Sequence, residues 1–413
     1  SSHPFSEPVF ALLKKARHLP LLLRTLGVRG TLRYARERLL PVPPPPAGKL
    51  DVVGFYRFLQ TPTVVPAPTV ALAARTLNWV IPSFQLGSGG HLNIFRMVYF
   101  LEKLGHRQHL VIVGETSYRS GDDARQQIRE HFVPIEASVG IGEGSLQPAE
   151  FTVATSWDTA YAVRRFAETR HRIYFIQDME ADFFPRSSSY AFAEATYRFG
   201  FVGITAGAWL AELMHDHYGM RTFGIGFSYD KERYRPLPRR DDLRRVFFSA
   251  RHVTPRRGFE LGLLALERVS RALPDVHFIL AGWDSSVYEI PFPHLDAGVV
   301  SLDGLPDLYS QCDVALVISL TNISLLPLEV MACGCAVVSN RGHNVEWLLT
   351  DQQTAMLTDA TPEALAEGVI QVLEDDALRR RLVDNGLQFA RSTDWATEAK
   401  RVHEYLEIIR QEA

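Results

Sequence analysis

The chain of 413 residues has only three cysteines, and no apolar run approaches the eighteen or so residues of a membrane span. The cysteines, Cys312, Cys333 and Cys335, have neither metal-ligand spacing nor the even count of a disulfide framework. The first residues lack the charged, apolar and small-residue succession of a signal peptide. We therefore expect a protein of the reducing cytoplasm, without a zinc centre or a membrane-spanning helix.

The formal net charge of -3 is unevenly distributed. Residues 1–50 carry nine Lys or Arg and two Glu, a net charge of +7, so the remainder carries -10. Leucines interleave with these basic residues, which predicts amphipathic helices that either bind an anionic membrane face or dock on the body of the protein. The basic block contains no recognisable nucleic-acid-binding module, so we expect no nucleic-acid partner. Residues 1–48 are therefore predicted to be a basic helical extension that ends in a stiff proline-rich linker.

From Leu77 onward, short apolar runs alternate with helical stretches, which predicts parallel sheets wound with helices. A chain of this length should form two domains of typical size. We predict an α/β fold with two doubly wound halves and a cleft between them at the carboxyl ends of the strands. The predicted strands are 77–84, 109–113, 151–154, 172–176 and 201–205 in the first half, and 245–249, 277–281, 314–318 and 336–338 in the second.

The segment Asn322–Asn340, NISLLPLEVMACGCAVVSN, predicts a helix with anion-binding groups at its start and a buried strand after its end. Either Asn322 or Ser324 can cap this helix, Pro327 is tolerated in its first turn, and Gly334 is placed to end it in the left-handed conformation. The free amides and the helix dipole favour a phosphate, while Glu329 can hold a sugar hydroxyl. The alternative is a plain helix-to-strand connection with a surface glutamate. The free amides that would bind the phosphate are those of Ser324, Leu325 and Leu326.

Two further loops follow predicted strands and contain groups suited to anions or sugars. Gly89 and Gly90 open a helix after the first strand, where backbone without side chains can approach a ligand closely. His91 beside them either contacts an acceptor or caps the helix. In the second half, Arg251 and Arg256 precede a helix and can clamp a pyrophosphate, stabilising charge on a leaving group. A solvated basic turn is the alternative for these arginines.

The acidic cluster Asp178, Glu180 and Asp182 follows the strand at 172–176 and should face the cleft. Three alternating carboxylates can bind sugar or acceptor hydroxyls, can hold Mg²⁺, or can form a solvated loop. The sequence pattern leaves these three interpretations open.

The second half resembles the GT-B glycosyltransferases of retaining family 4. Arg251 and Arg256 hold the places of the family's Arg and Lys, and LDGLPDLYSQCD at 302–313 resembles its next landmark. Glu329 matches the second of two signature glutamates separated by seven residues, whereas Thr321 stands where the first is expected. The strings IQDMEADFFP, AEATYRFG and FELG resemble the WsaF-type rhamnosyltransferases, which build bacterial cell-surface polysaccharides from dTDP-β-L-rhamnose.

The resemblance implies a metal-independent, cofactor-free transfer of L-rhamnose, with retention, from dTDP-β-L-rhamnose to a glycan or lipid-linked glycan. It implies an acceptor-side domain at 49–235, a nucleotide-sugar domain at 236–392, and a helix at 393–413 that crosses back to the first domain. The implied catalytic residues are Arg251, Arg256 and Asp178. The donor-nucleotide residues are Glu329, Ser324, Leu325, Leu326, Gly304 and Gly226, and the acceptor or sugar residues are Gly89, Gly90, His91, Glu180 and Thr321.

Three other interpretations fit the same residues. The donor can be another UDP- or GDP-sugar, which nucleotide-binding comparisons would separate from dTDP-rhamnose. A non-catalytic sugar-nucleotide-binding subunit is the second, because Thr321 replaces an acidic residue. The third is a GT-B-type epimerase, which would convert its donor with no acceptor present.

Overall fold

The computed structural model describes residues 50–412, and all structural statements below concern that range. The predicted basic extension, residues 1–48, lies outside the described residues. The chain divides into a compact unit that ends at Arg57 and a second one that starts at Phe58. Of the first unit, the described part contains helix α1 (Val52–Phe55), whose N-cap Asp51 accepts a hydrogen bond from the Gly54 amide at 2.7 Å.

The second unit contains two parallel sheets, each with its own helices. The first lobe is built on a seven-stranded sheet with strand order β3-β2-β1-β4-β5-β6-β7. Its strands are β1 (Thr76–Pro82), β2 (Arg107–Val113), β3 (Ser138–Ile141), β4 (Ala149–Ala154), β5 (Thr169–Ile176), β6 (Val202–Ala206) and β7 (Arg221–Ile225). Its helices are α2 (Gly89–Lys103), α3 (Gly121–His131), α4 (Trp157–Arg165), α5 (Ser188–Thr196) and α6 (Ala208–Tyr218).

The second lobe is built on a six-stranded sheet with strand order β10-β9-β8-β11-β12-β13. Its strands are β8 (Arg245–Ser249), β9 (His277–Ala281), β10 (His294–Gly298), β11 (Val314–Val317), β12 (Ala336–Asn340) and β13 (Met356–Thr358). Its helices are α7 (Phe259–Ala272), α8 (Leu305–Ser310), α9 (Leu326–Ala332), α10 (His343–Glu346), α11 (Pro362–Glu374) and α12 (Asp376–Ser392). Short 3₁₀ helices occur at Tyr56–Leu59, Glu143–Ser145, Glu180–Phe183 and Pro255–Arg257.

The predicted α/β fold with two doubly wound halves is confirmed. The nine strands predicted from apolar runs are the nine interior strands of the two sheets, and the four missed strands, β3, β7, β10 and β13, are the sheet edges. Edge strands need fewer apolar residues because one side of the strand faces solvent or a loop. β10, for example, contains no fully buried residue, whereas every residue of β4 is buried.

The chain returns to the first lobe through its last helix, α13 (Trp395–Gln411). This helix packs against α2, and its apolar face, Ala399, Val402, Leu406 and Ile409, joins the core beneath the first sheet. Within residues 50–412, no helix is long and apolar enough to cross a membrane.

The start of α9 differs from the prediction. Its N-cap is Leu325, which makes no side-chain cap, so the assignment of Asn322 or Ser324 to that position is wrong. Ser324 Oγ accepts only a long hydrogen bond, 3.4 Å, from the Leu326 amide. The Asn322 side chain instead donates shorter hydrogen bonds to backbone carbonyls of the first lobe. Pro327 does lie in the first turn, and Gly334 adopts the predicted left-handed conformation at φ +80°.

Candidate active site between the two lobes

Asp178 joins the two lobes at the carboxyl end of β5. Its Oδ2 accepts a hydrogen bond from the Thr321 hydroxyl at 2.9 Å, and its Oδ1 accepts one from the Asn322 amide at 2.7 Å. The amide of Met179 donates a third hydrogen bond at 2.8 Å. Both second-lobe partners lie in the loop that follows β11. The carboxylate of a first-lobe residue therefore contacts the position where the resemblance places an acidic residue of the second lobe.

Two arginines of the second lobe, Arg256 and Arg257, approach this carboxylate from the loop after β8. Arg256 Nε lies 3.6 Å from Asp178 Oδ2, an ion pair without a hydrogen bond, and among the described residues this Nε has no hydrogen-bond partner. The Arg256 guanidinium also lies over the Phe183 ring at 4.0 Å, a cation–π contact with the first lobe. Arg257 donates to the Ser319 hydroxyl and to the Asn322 carbonyl oxygen. Arg251 is exposed on the same loop.

Burial raises the pKa of Asp178, and the charges of Arg257 and Arg256 with the hydrogen bonds from Asn322 and Thr321 oppose that rise. Burial also lowers the pKa of Arg257 to about 10, and the Asp178 charge counteracts this effect. Opposite charges thus compensate each other in a region that is mostly shielded from water. An anion that entered beside Arg256 and Arg251 would meet positive charge.

The glycine loop lies next to Asp178 within the first lobe. Gln177, the residue before Asp178, donates from Nε2 to the Gly90 carbonyl at 3.0 Å, and its Oε1 accepts from Asn93 at 3.0 Å. Both Gly89 and Gly90 are exposed, and a side-chain carbon placed on Gly89 would have no atom within 4 Å. The first turn of α2 therefore leaves open space beside the carboxyl end of β5.

The imidazole of His91 is held within the first lobe. Its Nδ1 is 2.8 Å from the hydroxyl of Ser88, the N-cap residue of α2, and its Nε2 is 3.2 Å from the Pro82 carbonyl oxygen. Burial lowers the pKa of this ring. Through these contacts, His91 connects the start of α2 to the end of β1.

Glu180 faces the interior of the first lobe, although it lies only two residues from Asp178. Its Oε2 accepts a hydrogen bond from the Trp157 amide at the start of α4, at 2.6 Å, and its Oε1 accepts one from the Tyr174 hydroxyl at 3.3 Å. Burial raises the pKa of Glu180 to about 8. Asp182 is exposed. The three acidic side chains therefore do not converge, because the 3₁₀ turn at Glu180–Phe183 points them in different directions.

Glu329 lies on α9 as a partly exposed residue, beside the Tyr234 hydroxyl. Burial raises its pKa to about 7, and the Arg96 charge opposes this rise most strongly. Arg96 is a buried arginine of α2, so it acts on Glu329 from the other lobe. Its guanidinium lies 5.4 Å from the Trp395 ring, and its Nη1 has no hydrogen-bond partner in the described part of the chain.

The remaining predicted donor residues lie at separate places in the second lobe and its connection. Leu325 is buried, whereas Ser324 and Leu326 are partly exposed at the start of α9. Gly304 precedes α8, and its chain neighbour Asp303 lines a groove of about 390 Å³ together with Asp230, Arg233 and Pro306. Gly226 lies on the connection between the lobes, and its amide donates to Glu398 of α13 at 2.7 Å. That amide is therefore occupied by a carboxylate of the protein itself.

Across residues 50–412, no group of three or more His, Cys, Asp or Glu side chains is arranged to hold a metal ion. Free cysteines occur at 312, 333 and 335, and all three are buried. Burial raises the pKa of the Cys333 thiol to about 12, which makes a thiolate unfavourable there.

Sequence reasoning missed Arg257, Arg96 and the interlobe role of Asn322. A signal existed for the two arginines, because Arg257 directly follows Arg256 and Arg96 interrupts the apolar stretch IFRMVYF. No signal marked Asn322 as an interlobe residue, since its partners lie more than a hundred residues away along the chain.

Two wound lobes that meet at the carboxyl ends of their strands define the GT-B fold, and solved structures agree. Sucrose-phosphate synthase from Thermosynechococcus elongatus superposes with a TM-score of 0.64 at 13% identity, covering 82% of this chain and 100% of that one. HepE from Anabaena, solved with UDP-glucose, superposes with a TM-score of 0.61 at 17% identity, covering 80% of this chain and 99% of that one. At such identities these likenesses show the fold alone.

The sequence matches are more specific. Residues 142–205 match the family model of the WsaF N-terminal domain, and residues 244–370 match that of the WsaF C-terminal domain. The O-antigen biosynthesis protein RfbC of Myxococcus xanthus is 33% identical over 356 residues, which is 82% of this chain. The chain spans 28% of that relative's length. Both lobes therefore contain matches to WsaF domain models, on a GT-B fold.

Proposed function

We propose that this chain is a glycosyltransferase of polysaccharide biosynthesis, which moves L-rhamnose from dTDP-β-L-rhamnose to a hydroxyl of a growing cell-surface glycan. The observation that carries this proposal is the match of both lobes to WsaF domain models. The similarity to a protein named for O-antigen biosynthesis supports the polysaccharide role.

The chemistry follows from the charges at the strand ends of the second lobe. Arg251 and Arg256 neutralise the departing diphosphate with their positive charge. The amides at 324–326 add the positive end of the α9 dipole, and Glu329 holds the ribose hydroxyls. The leaving phosphate takes the proton of the incoming acceptor hydroxyl on the same face of the sugar, so the anomeric configuration is retained. Positioning and charge stabilisation then supply the rate enhancement, with no metal or cofactor required.

The sugar is proposed to be L-rhamnose, a 6-deoxy hexose. Support comes from the WsaF-like strings of both lobes. It also comes from Thr321, an uncharged residue at the place of the first signature glutamate, whose hydroxyl already donates to Asp178. Asp178 is then the carboxylate nearest to the phosphate-binding arginines. A UDP-sugar is the second candidate donor, favoured by the fold shared with HepE, which was solved with UDP-glucose.

The acceptor is proposed to be a glycan, free or lipid-linked, that reaches the cleft from the side of Gly89, Gly90 and His91. The exposed glycine backbone and the open space at Gly89 leave room for it. The basic extension at 1–48 is proposed to hold the protein on the inner face of the cytoplasmic membrane. Deleting residues 1–48 should abolish flotation with anionic liposomes and leave nucleotide binding intact, whereas unchanged flotation would refute the membrane role.

The deciding experiment is calorimetric titration with dTDP, UDP and GDP in buffer that contains a chelator. Preferential binding of dTDP is expected, and incubation of dTDP-rhamnose with lipid-linked glycan fractions should then release dTDP. Preference for UDP or GDP would replace the donor and keep the transferase. No binding of any of the three nucleotides would overturn the proposed site. Conversion of the donor sugar without an acceptor would indicate an epimerase instead.

A further inference from the structure

Asn322 directs both donors of its side chain to the first lobe. It follows β11 of the second lobe and is 1% exposed. Its Nδ2 donates to the Gln177 carbonyl at 2.8 Å and to the Ala206 carbonyl at 2.9 Å, at the carboxyl ends of β5 and β6. A primary amide has two N–H donors. Each of them therefore fixes the position of one first-lobe strand end.

The oxygen of the same amide is also fully used. Its Oδ1 accepts from Trp209 Nε1 on α6 of the first lobe at 2.9 Å and from Trp347 Nε1 of the second lobe at 2.9 Å. The Trp347 ring packs so closely on Gly207 that an added Cβ there would lie 2.6 Å from the ring. Since a carbonyl oxygen has two lone pairs, the side chain of Asn322 leaves no hydrogen-bonding capacity unused.

The backbone of Asn322 connects this contact to the charged groups of the site. Its amide donates to Asp178 at 2.7 Å, and its carbonyl oxygen accepts from Arg257 at 3.0 Å. Arg257 is the chain neighbour of Arg256, which forms the ion pair with Asp178. A displacement of Asn322 would therefore change the distance between Asp178 and the arginine loop.

We propose that Asn322 is a positioning residue, which aligns the ends of β5 and β6 with the loop of Arg256 and Arg257 so that Asp178 and Arg256 meet the donor together. This inference rests on the proposed function for its kinetic consequence and on the contacts above for the alignment itself. Asn322 acts through Asp178 and Arg257 and needs no contact with the donor. A misplacement of about 1 Å at reacting groups costs on the order of 100-fold in rate.

The test is Asn322→Asp in the full chain. This substitution is nearly isosteric, but it turns two donors into an acceptor that faces two carbonyl oxygens and lies close to Asp178. Hydrolysis of dTDP-rhamnose and of UDP-glucose, with water in place of the acceptor, provides the rate assay. We expect kcat to fall on the order of 100-fold, with KM near wild type, because the proposed nucleotide contacts lie within the second lobe. Small-angle scattering without ligand should show a larger radius of gyration.

The matched control is Asn340→Asp. Asn340 is also buried and exchanges two hydrogen bonds of 2.8 Å with the backbone of Ser319, but these partners lie within the second lobe. We expect it to lower stability while keeping the radius of gyration and kcat of the wild type. If Asn322→Asp does not fold, Trp209→Phe removes a single interlobe donor and should shift both readouts in the same direction by less.

Equal effects of the Asn322 and Asn340 variants on both readouts would overturn the proposal, and so would a wild-type radius of gyration in Asn322→Asp. If the wild type hydrolyses neither donor, the proposed donors fail while scattering still decides the alignment role. The two failures are therefore distinguishable.

Discussion

The two lobes share one architecture but present opposite charge to the space between them. At the carboxyl ends of its strands the second lobe places Arg251, Arg256 and Arg257, whereas the first lobe places Asp178 and the open glycines at 89 and 90. In the proposed function, the cationic side attracts the nucleotide diphosphate and the neutral glycan approaches the glycine side. One fold, used twice, would then separate donor binding from acceptor binding by the charge of its side chains.

A second contrast lies within the first lobe. Asp178 and Glu180 leave the same strand end, yet Asp178 contacts the second lobe and Glu180 caps the start of α4. Both carboxyl groups are buried, and burial raises the pKa of each. Only Asp178 has arginines close enough to counter that effect strongly.

Replacing Glu180 should give the largest change in the free energy of unfolding. It tests the carboxylate that faces the interior of the first lobe. The raised pKa means that the unfolded chain ionises Glu180 first, so this residue costs stability as pH rises from about 4.5 to 8. In Glu180→Gln that loss should be absent. Between these pH values, the free energy of unfolding should therefore fall less in Glu180→Gln than in the wild type, by on the order of 4 kcal/mol. Urea titrations at both pH values measure it, with the exposed Glu212→Gln as control. Parallel pH profiles for wild type and Glu180→Gln would contradict the assignment.

Thr321→Glu tests whether the separation of charge between the two lobes contributes to stability. The new carboxylate would meet Asp178 in a buried contact, so we expect a loss of about 3 kcal/mol in the free energy of unfolding. The control Thr321→Val removes only the hydroxyl and should cost about 1 kcal/mol. Adding Asp178→Asn to Thr321→Glu should recover much of the loss. Equal unfolding curves for the Glu and Val variants would show that the two sites are not electrostatically coupled.

Arg251→Ala tests the contribution of the cationic second lobe to nucleotide binding. Arg251 is exposed, so the fold should tolerate the change, whereas dTDP affinity should fall by about 2 kcal/mol, roughly 30-fold, with the loss of a charge-assisted contact. Calorimetry measures the affinity. Arg244→Ala is the control, because Arg244 lies at the opposite, amino end of β8 and pairs with Asp275. Identical dTDP affinities in the two variants would refute the diphosphate role of Arg251.

Glu329→Gln should have the smallest effect, on the nucleoside part of the ligand. We expect dTDP binding to weaken by about 1 kcal/mol, roughly fivefold, since a neutral amide accepts weaker hydrogen bonds from ribose hydroxyls. Inorganic pyrophosphate should bind as well as it does to the wild type, which provides the internal control. If pyrophosphate affinity falls as much as dTDP affinity, Glu329 acts on the diphosphate and not on the ribose.

The interior of both sheets was predictable because interior strands are largely apolar on both faces, as in Val314–Val317. Edge strands such as His294–Gly298 escaped because their composition does not differ from that of loops. The loop of Arg251 and Arg256 was placed correctly after β8, since strand and helix signals flank it. The prediction that the cluster Asp178, Glu180 and Asp182 faces the cleft was wrong for Glu180, because a 3₁₀ turn replaces the extended chain there.

Local sequence patterns specify the alternation of strands and helices, the place of the loops along the chain, and the resemblance to WsaF-type proteins. These depend on local apolar periodicity and on short motifs, which are properties of neighbouring residues. Only the tertiary structure decided that Asp178 meets Thr321, that Glu180 turns inward, and that Asn322 bonds to both lobes. The contacts of Asp178 with Thr321 and of Asn322 with the first lobe join residues more than a hundred positions apart, and the packing of the two lobes brings them together where no local pattern can.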